Sequence, residues 1–215
     1  MASWGSCDFA QLQELQNRLK KLQNADMQKF CVEASRELAA RLLALVIPRT
    51  PVGRKPNLKQ LGGEAAKKTV RVKSASGKSQ TFLSREGAIL EAHWGGYMGG
   101  TLRRGWTAKS EAEAESGSGR SIAADGVQYA QSIPVVKSGE SYQITVINPV
   151  RYASYVEFGH RQTPGRYVPA LGKRLKASWV KGQYMLTISE KQLASIAPGI
   201  LERKLQAFLT EVFNG

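Results

Sequence analysis

The side chains able to do chemistry in this 215-residue chain are few and do not cluster. His93 and His160 lie in different segments, and neither has a second His, a Cys or an acid at ligand spacing, so no metal site is predicted. Cys31 falls inside an apolar helical pattern, where a small buried hydrophobe is expected in place of a nucleophile, and no Gly-x-Ser-x-Gly elbow occurs. The run from Gly165 to Gly172-Lys173-Arg174 approaches a phosphate loop. It has six residues between the glycines and ends in Arg where Ser or Thr would hold magnesium, so that reading is rejected. The paired glycines at 62–63, 95–96 and 99–100 lack the strand–turn–helix setting of a dinucleotide site. Glu157 sits among aromatics, where its pKa could be raised, although an ion pair with Arg151, Arg161 or Arg166, or a capping role, fits better. No catalytic constellation and no cofactor are expected. The residue types point to a structural module, not an enzyme.

The stretch that carries most information is Tyr152–Arg166. Tyr152, Tyr155, Val156 and Phe158 are mostly three or four residues apart, Gly159 can end a helix, and Pro164 forbids its continuation. A short helix is predicted over 150–159, whose Tyr152, Tyr155 and Phe158 pack in the subunit's own core or, with the loop after them, form a patch for a neighbour. A basic loop follows, whose Arg161 and Arg166 face either a neighbour or water. Before it, Val127, Tyr129, Ile133 and Val135 alternate in part and Tyr142, Ile144 and Val146 alternate cleanly, predicting a hairpin turned at residues 137–141. Lys173–Trp179 is a candidate third strand, and part of the basic stretch described next a fourth.

Helices flank this β signal. Leu12, Leu15, Leu19 and Leu22 form a narrow seam behind Asp8. A second helix runs from about Asp26 with Phe30, Ala34, Leu38, Leu42 and Leu45 on one face, and Pro48 stops it. At the other end Ser189 and Gln192 have the form of a capping box. Pro198 suits the first position of a last helix bearing Leu201, Leu205, Phe208, Leu209 and Val212, which should cover the sheet. Between the helical start and the hairpin, residues 49–109 hold thirteen Lys or Arg against three acids. They read as an extended basic arm with one short hairpin at 69–83, turned at Ser76-Gly77. Glu111–Gly119 reads as a flexible linker.

The totals describe a strongly basic chain. Thirty-one Lys and Arg against 17 acids give a net charge of +14, which favours acidic partners without naming one. Two distant cysteines argue against a disulfide scaffold and fit a reducing cytoplasm, and neither a signal peptide nor a spanning apolar run is read. The expected fold class is α+β, a small, mainly antiparallel sheet flanked by N- and C-terminal helices. Residues 1–47 would form the leading helices, 48–120 a basic insertion and linker, and 121–215 the core, within one domain.

Thr50-Pro51-Val52, Leu102-Arg103-Arg104-Gly105-Trp106, the hairpin, and Tyr152-Ala153-Ser154-Tyr155-Val156-Glu157-Phe158-Gly159-His160-Arg161, in that order, resemble the neck, minor-tail and tail-completion proteins that join head to tail in long-tailed bacteriophages and prophages. The downstream Trp179–Leu186 is similar too. Members of that family run from Thr-Pro-Val through Asp-Thr-Gly into Leu-Arg within a few residues. Here residues 53–101 intervene, so the basic stretch is an elaboration. The resemblance implies an α+β virion subunit, made in the host cytoplasm and assembled as a homo-oligomeric ring, commonly a hexamer. It implies head-closure or connector and tail-tube or sheath partners, and no catalytic residues. Arg103, Arg104, Trp106, His160, Arg161, Arg166 and Tyr167 are the candidate contact residues, with possible non-specific contact with DNA. A second reading, from a different class, is a nucleic-acid-binding module that uses the 49–109 arm.

Overall fold

The computed structural model describes residues 13, 17, 26–54, 69–73, 77–83, 85–95, 97, 99–116, 122–171 and 173–214. The leucine seam at 12–22 lies outside them, apart from the polar Gln13 and Asn17, as do Ser76 and much of the basic stretch. In chain order, helix α1 (Asp26–Arg49) precedes strands β1 (Thr69–Lys73) and β2 (Ser79–Leu83). Helices α2 (Arg85–Trp94), α3 (Thr101–Arg104), α4 (Glu111–Ser116) and α5 (Ile122–Ser132) follow, α3 running into a 3-10 turn at Gly105–Thr107. Then come β3 (Val135–Ser138), β4 (Ser141–Ile144), α6 (Ala153–Phe158), β5 (Gly159–Arg161), β6 (Tyr167–Val168), β7 (Lys173–Arg174), β8 (Trp179–Lys181) and the long α7 (Met185–Asn214). The fold is α+β, with helices at both ends. Among the described residues the strands form four separate antiparallel pairs, β1–β2, β3–β4, β5–β8 and β6–β7, in place of one three- or four-stranded sheet. Among the described residues no helix is long and apolar enough to cross a membrane.

Two compact units share the chain. The first comprises residues up to Ile47, 120–147 and 186–215. Its core grows from α1, which buries Ala34, Ala39, Leu43, Val46 and Ile47. Buried Gly126 lets α5 lie close to α1, where a Cβ would just touch Leu43 and Ile47. The expected strand through Val127 and Tyr129 is therefore corrected to a helix. Gly126, Ala130 and Ile133 are buried at i, i+4 and i+7, while Val127 is 53% exposed. The predicted hairpin exists as β3–β4, tighter than expected. Ser138 pairs with Ser141 across Gly139-Glu140, and Gly139 at φ 60 supplies the left-handed first position of a two-residue turn.

Prolines break neither long helix. Pro48 sits in the last turn of α1, which ends one residue later, and Pro198 lies inside α7, which was expected to begin there. Met185, Ser189, Leu193, Ala197, Ile200, Lys204 and Phe208 make one buried or half-buried stripe through Pro198. Pro198 itself is on the exposed side, so the carbonyl its missing N–H leaves open can turn to water. Ser189 is thus no N-cap; it is fully buried within the helix. Against α1, α7 stacks Phe208 on Phe30 with ring centres 5.0 Å apart and sets Lys204 3.2 Å from Glu37. Arg41 also bonds Glu37, at 2.8 Å. The Arg41 hydrogen bond and then Lys204 hold that carboxyl below its ordinary value, against the opposing effect of partial burial.

The second unit comprises residues 48–119 and 148–185. It holds the hairpin expected at 69–83, with Thr69 opposite Leu83 and Gly77 at φ 79 in the turn. Helix α2 stands where extended chain was expected. Helix α4 stands where a flexible linker was expected: Ser110 Oγ accepts from Glu113 N and Glu113 Oε2 from Lys109 N, a reciprocal cap, and Ala114 is fully buried.

Candidate interaction surface

Three short sequence pieces, far apart in the chain, close on one another in the second unit. Thr50 is fully buried, and its hydroxyl accepts from Trp106 Nε1 at 2.7 Å. Its carbonyl accepts from Arg103 Nε and Nη2 at 3.1 and 2.7 Å, and Arg103 Nη2 reaches the carbonyl of Pro48 as well. A guanidinium thus satisfies carbonyls left open where α1 ends. Arg104 bonds the carbonyls of Ala114 and Gly99 at 2.7 and 2.9 Å. Asn148 Nδ2 donates to the carbonyl of Leu102 while its Oδ1 accepts from Val150 N, shaping the turn that leads into α6. Gly105 lies so near that a Cβ there would run into Asn148 Oδ1 and Val150. Arg103, Arg104 and Trp106 are the parts of a latch, their polar groups engaged by their own unit.

Helix α6 has the predicted place and the predicted cap, with Gly159 at φ 84. Its facing is the reverse of core packing. Glu157 is buried at 5% exposure, with Ala153 and Val156 half-buried beside it, while Tyr152, Tyr155 and Phe158 are 42%, 59% and 60% exposed. The spacing of the aromatics fixed a common face but not its direction. Chain 182–184 returns beneath the helix and decides it: Gln183 N and Tyr184 N donate to the carbonyls of Val156 and Glu157 at 2.8 and 3.0 Å. Gly182 and Gly159 meet backbone to backbone with no room for a Cβ on either. Burial pushes the Tyr152 hydroxyl pKa up, reinforced by Tyr97 and partly offset by a hydrogen bond with Thr101. Arg151, one candidate partner of Glu157, has its guanidinium on Glu111 at 3.0 Å.

Beyond Gly159 the predicted basic loop is a β-arm. Gly159, His160 and Arg161 pair with Lys181, Val180 and Trp179, and Tyr167 and Val168 pair with Arg174 and Lys173. Gln162 N to Ser178 O and Leu175 N to Arg166 O join the two pairs into one arm over 159–181. Its tip is fixed to α2 by a hydrogen bond from Trp94 Nε1 to the carbonyl of Ala170. His160 stacks edge-on with Tyr155 at 5.8 Å, its Nδ1 buried and without a hydrogen bond. Arg161, Arg166 and Tyr167 are exposed. Of the seven candidate contact residues, then, the structure gathers three in the latch and four on the arm. Trp179 and Tyr184 are exposed aromatics that sequence reasoning left out; pairing of 159–161 with 179–181 is the signal that would have found Trp179. In the 49–109 stretch, Arg71, Lys73 and Lys78 are exposed, whereas Lys55, Lys59, Lys67 and Lys68 lie outside the described residues.

The family model described as "Bacteriophage HK97-gp10, putative tail-component" matches residues 13–159, about two-thirds of the chain, ending at the glycine that caps α6. No curated protein and no solved structure matches the chain.

Proposed function

From the premise that the chain belongs to the HK97-gp10-like family of bacteriophage tail components, we propose that it is a structural subunit of the virion neck or tail terminus, forming a homo-oligomeric ring, a hexamer, that joins or completes the tail at the head–tail interface. The observation that carries this reading is the outward aromatic face of α6. Two aromatics on one short helix and a third at its N-cap, each more than two-fifths exposed, leave an apolar stripe that a protein working as a monomer would bury. Trp179 and Tyr184 are exposed on the segments paired with β5 and bonded to α6. Exposed aromatics with Arg161 opposite Trp179 have the composition of protein–protein anchors. A ring needs an aromatic face like this one to fit a different patch on the next subunit, because a cyclic contact is heterologous. Its partners are other copies of itself, a head-closure or connector protein, and a tail-tube or sheath protein.

The test is the mass of the purified protein in solution, alone and mixed with tail-tube protein. A ring-sized species is expected, alone or with the tube protein, and Tyr155→Ser with Phe158→Ser should reduce it to monomer. A strict monomer that binds neither tube nor neck protein overturns the proposal. Particles made without the protein should show unjoined heads and tails, or tails of uncontrolled length.

A further inference from the structure

Between Glu157 and Glu190 the chain has no acid, and it has six cations, Arg161, Arg166, Lys173, Arg174, Lys176 and Lys181. All six are exposed. They lie on the two strands of one β-arm whose register places them. Opposite residues share a face, as do residues two apart on a strand, so Arg161, Trp179 and Lys181 stand together on one face. Lys173 and Arg174 are adjacent on β7 and so project to opposite faces, Arg174 beside exposed Tyr167. Positive charge therefore covers both faces of a ribbon about 30 Å long, taking some ten residues at about 3.3 Å each.

We propose that this arm binds the phosphate backbone of double-stranded DNA without reading its sequence. A ribbon charged on both faces is matched by two rows of phosphate, which a duplex groove presents on its two walls and a single strand does not. The major groove is wide enough to admit a two-stranded ribbon. An acidic protein surface is the poorer match, since such surfaces mix charges, and the arm offers no acid to meet a partner's cation. The tip is held by Trp94 on Ala170, so the arm is ordered before it binds and loses little entropy on binding. Duplex binding does not depend on ring formation, and the arm lies beyond the family match except at Gly159.

The measurement is fluorescence polarisation of two unrelated duplexes of about 20 base pairs, from about 50 to 200 mM salt. Equal affinity for both duplexes is expected, falling steeply with salt. Lys173→Ala, Arg174→Ala and Lys176→Ala together should weaken low-salt binding at least tenfold and flatten the log–log salt slope by about 2–3. Arg161→Ala, Arg166→Ala and Lys181→Ala form a second triple, used should the first not fold as judged by circular dichroism. Arg71→Ala, Lys73→Ala and Lys78→Ala remove the same charge from the exposed β1–β2 hairpin and should change affinity less than threefold. Equal losses in arm and hairpin triples overturn the proposal, because binding would then follow total charge. Absence of duplex binding at low salt overturns it too, as does tighter binding to polyglutamate, which would favour an acidic protein. Tighter binding to a single strand, abolished by Trp179→Ala, would replace the duplex with a stacked strand.

Discussion

The latch around Thr50 and the arm over 159–181 draw on the same residue types, arginine beside aromatic and glycine, and put them to opposite uses. In the latch, Arg103 and Arg104 spend their donors on carbonyls of their own unit and Trp106 is 3% exposed. On the arm, Arg161 and Arg166 point to water and Trp179 is 52% exposed. What separates them is the backbone nearby. Where the chain after α1 and the 99–116 segment offer carbonyls for bonding, a guanidinium is drawn inward. The two-stranded arm pairs most of its backbone with itself and takes up Arg174 on the carbonyl of Gly165 at 2.7 Å, while Arg161 and Arg166 stay exposed. Net charge therefore overstates what a partner can use, since arginines such as Arg103 and Arg104 are taken up by their own unit.

Mutating the two tryptophans should widen that contrast most. Trp106→Ala removes a buried indole and its hydrogen bond to the Thr50 hydroxyl, and should lower unfolding free energy in urea by about 3–5 kcal/mol. Trp179→Ala should change it by no more than about 0.5 kcal/mol. Comparable losses would mean that the arm is part of the core. Next in size is Gly105→Ala. Its φ of −56 suits any residue, so the cost of about 1–3 kcal/mol comes from driving a methyl into Asn148 and Val150. A Gly105→Ala, Asn148→Ala double variant should recover part of it, and strict additivity would break the explanation. Smallest is an ion pair in the other unit. Glu37 has a depressed pKa when folded, so its stabilisation is present above the ordinary value near 4.5 and is lost as pH falls through the folded value. Glu37→Gln should cost about 0–1 kcal/mol at neutral pH and nothing at pH values below the folded pKa, read from urea midpoints along a pH series.

Much of this was legible before any coordinates. Helix α6, its Gly159 cap, the two hairpins and the α+β class follow from local spacing and turn chemistry, which act within a few residues. The failures share a cause too. Val127 and Tyr129 looked like alternating strand residues because Gly126 and Ala130, the buried ones, carry no hydrophobic signal of their own size. Pro198 looked like a helix start because exposure of its side of α7, which makes it tolerable, is a tertiary fact. Tyr155 and Phe158 looked like core because an aromatic stripe has the same spacing whether it faces in or out. In the site, Arg103 and Trp106 were picked out as contacts by residue type alone; Thr50, their partner over fifty residues away, was visible only as half of a motif.

One irregularity of the arm has a meaning for solubility. From Arg161 to Tyr167 the first strand takes six steps while its partner takes five from Trp179 to Arg174, so one extra residue is housed around Thr163-Pro164-Gly165, with Gly165 at φ 81. That bulge, with a proline that cannot donate, spoils the outer edge as a template for another strand. A lone two-stranded ribbon is an open invitation to fibre-like stacking, above all when many copies are crowded at one place. Here the register slip and the like charges keep copies apart edge to edge, leaving side-chain contact as the way onto the arm.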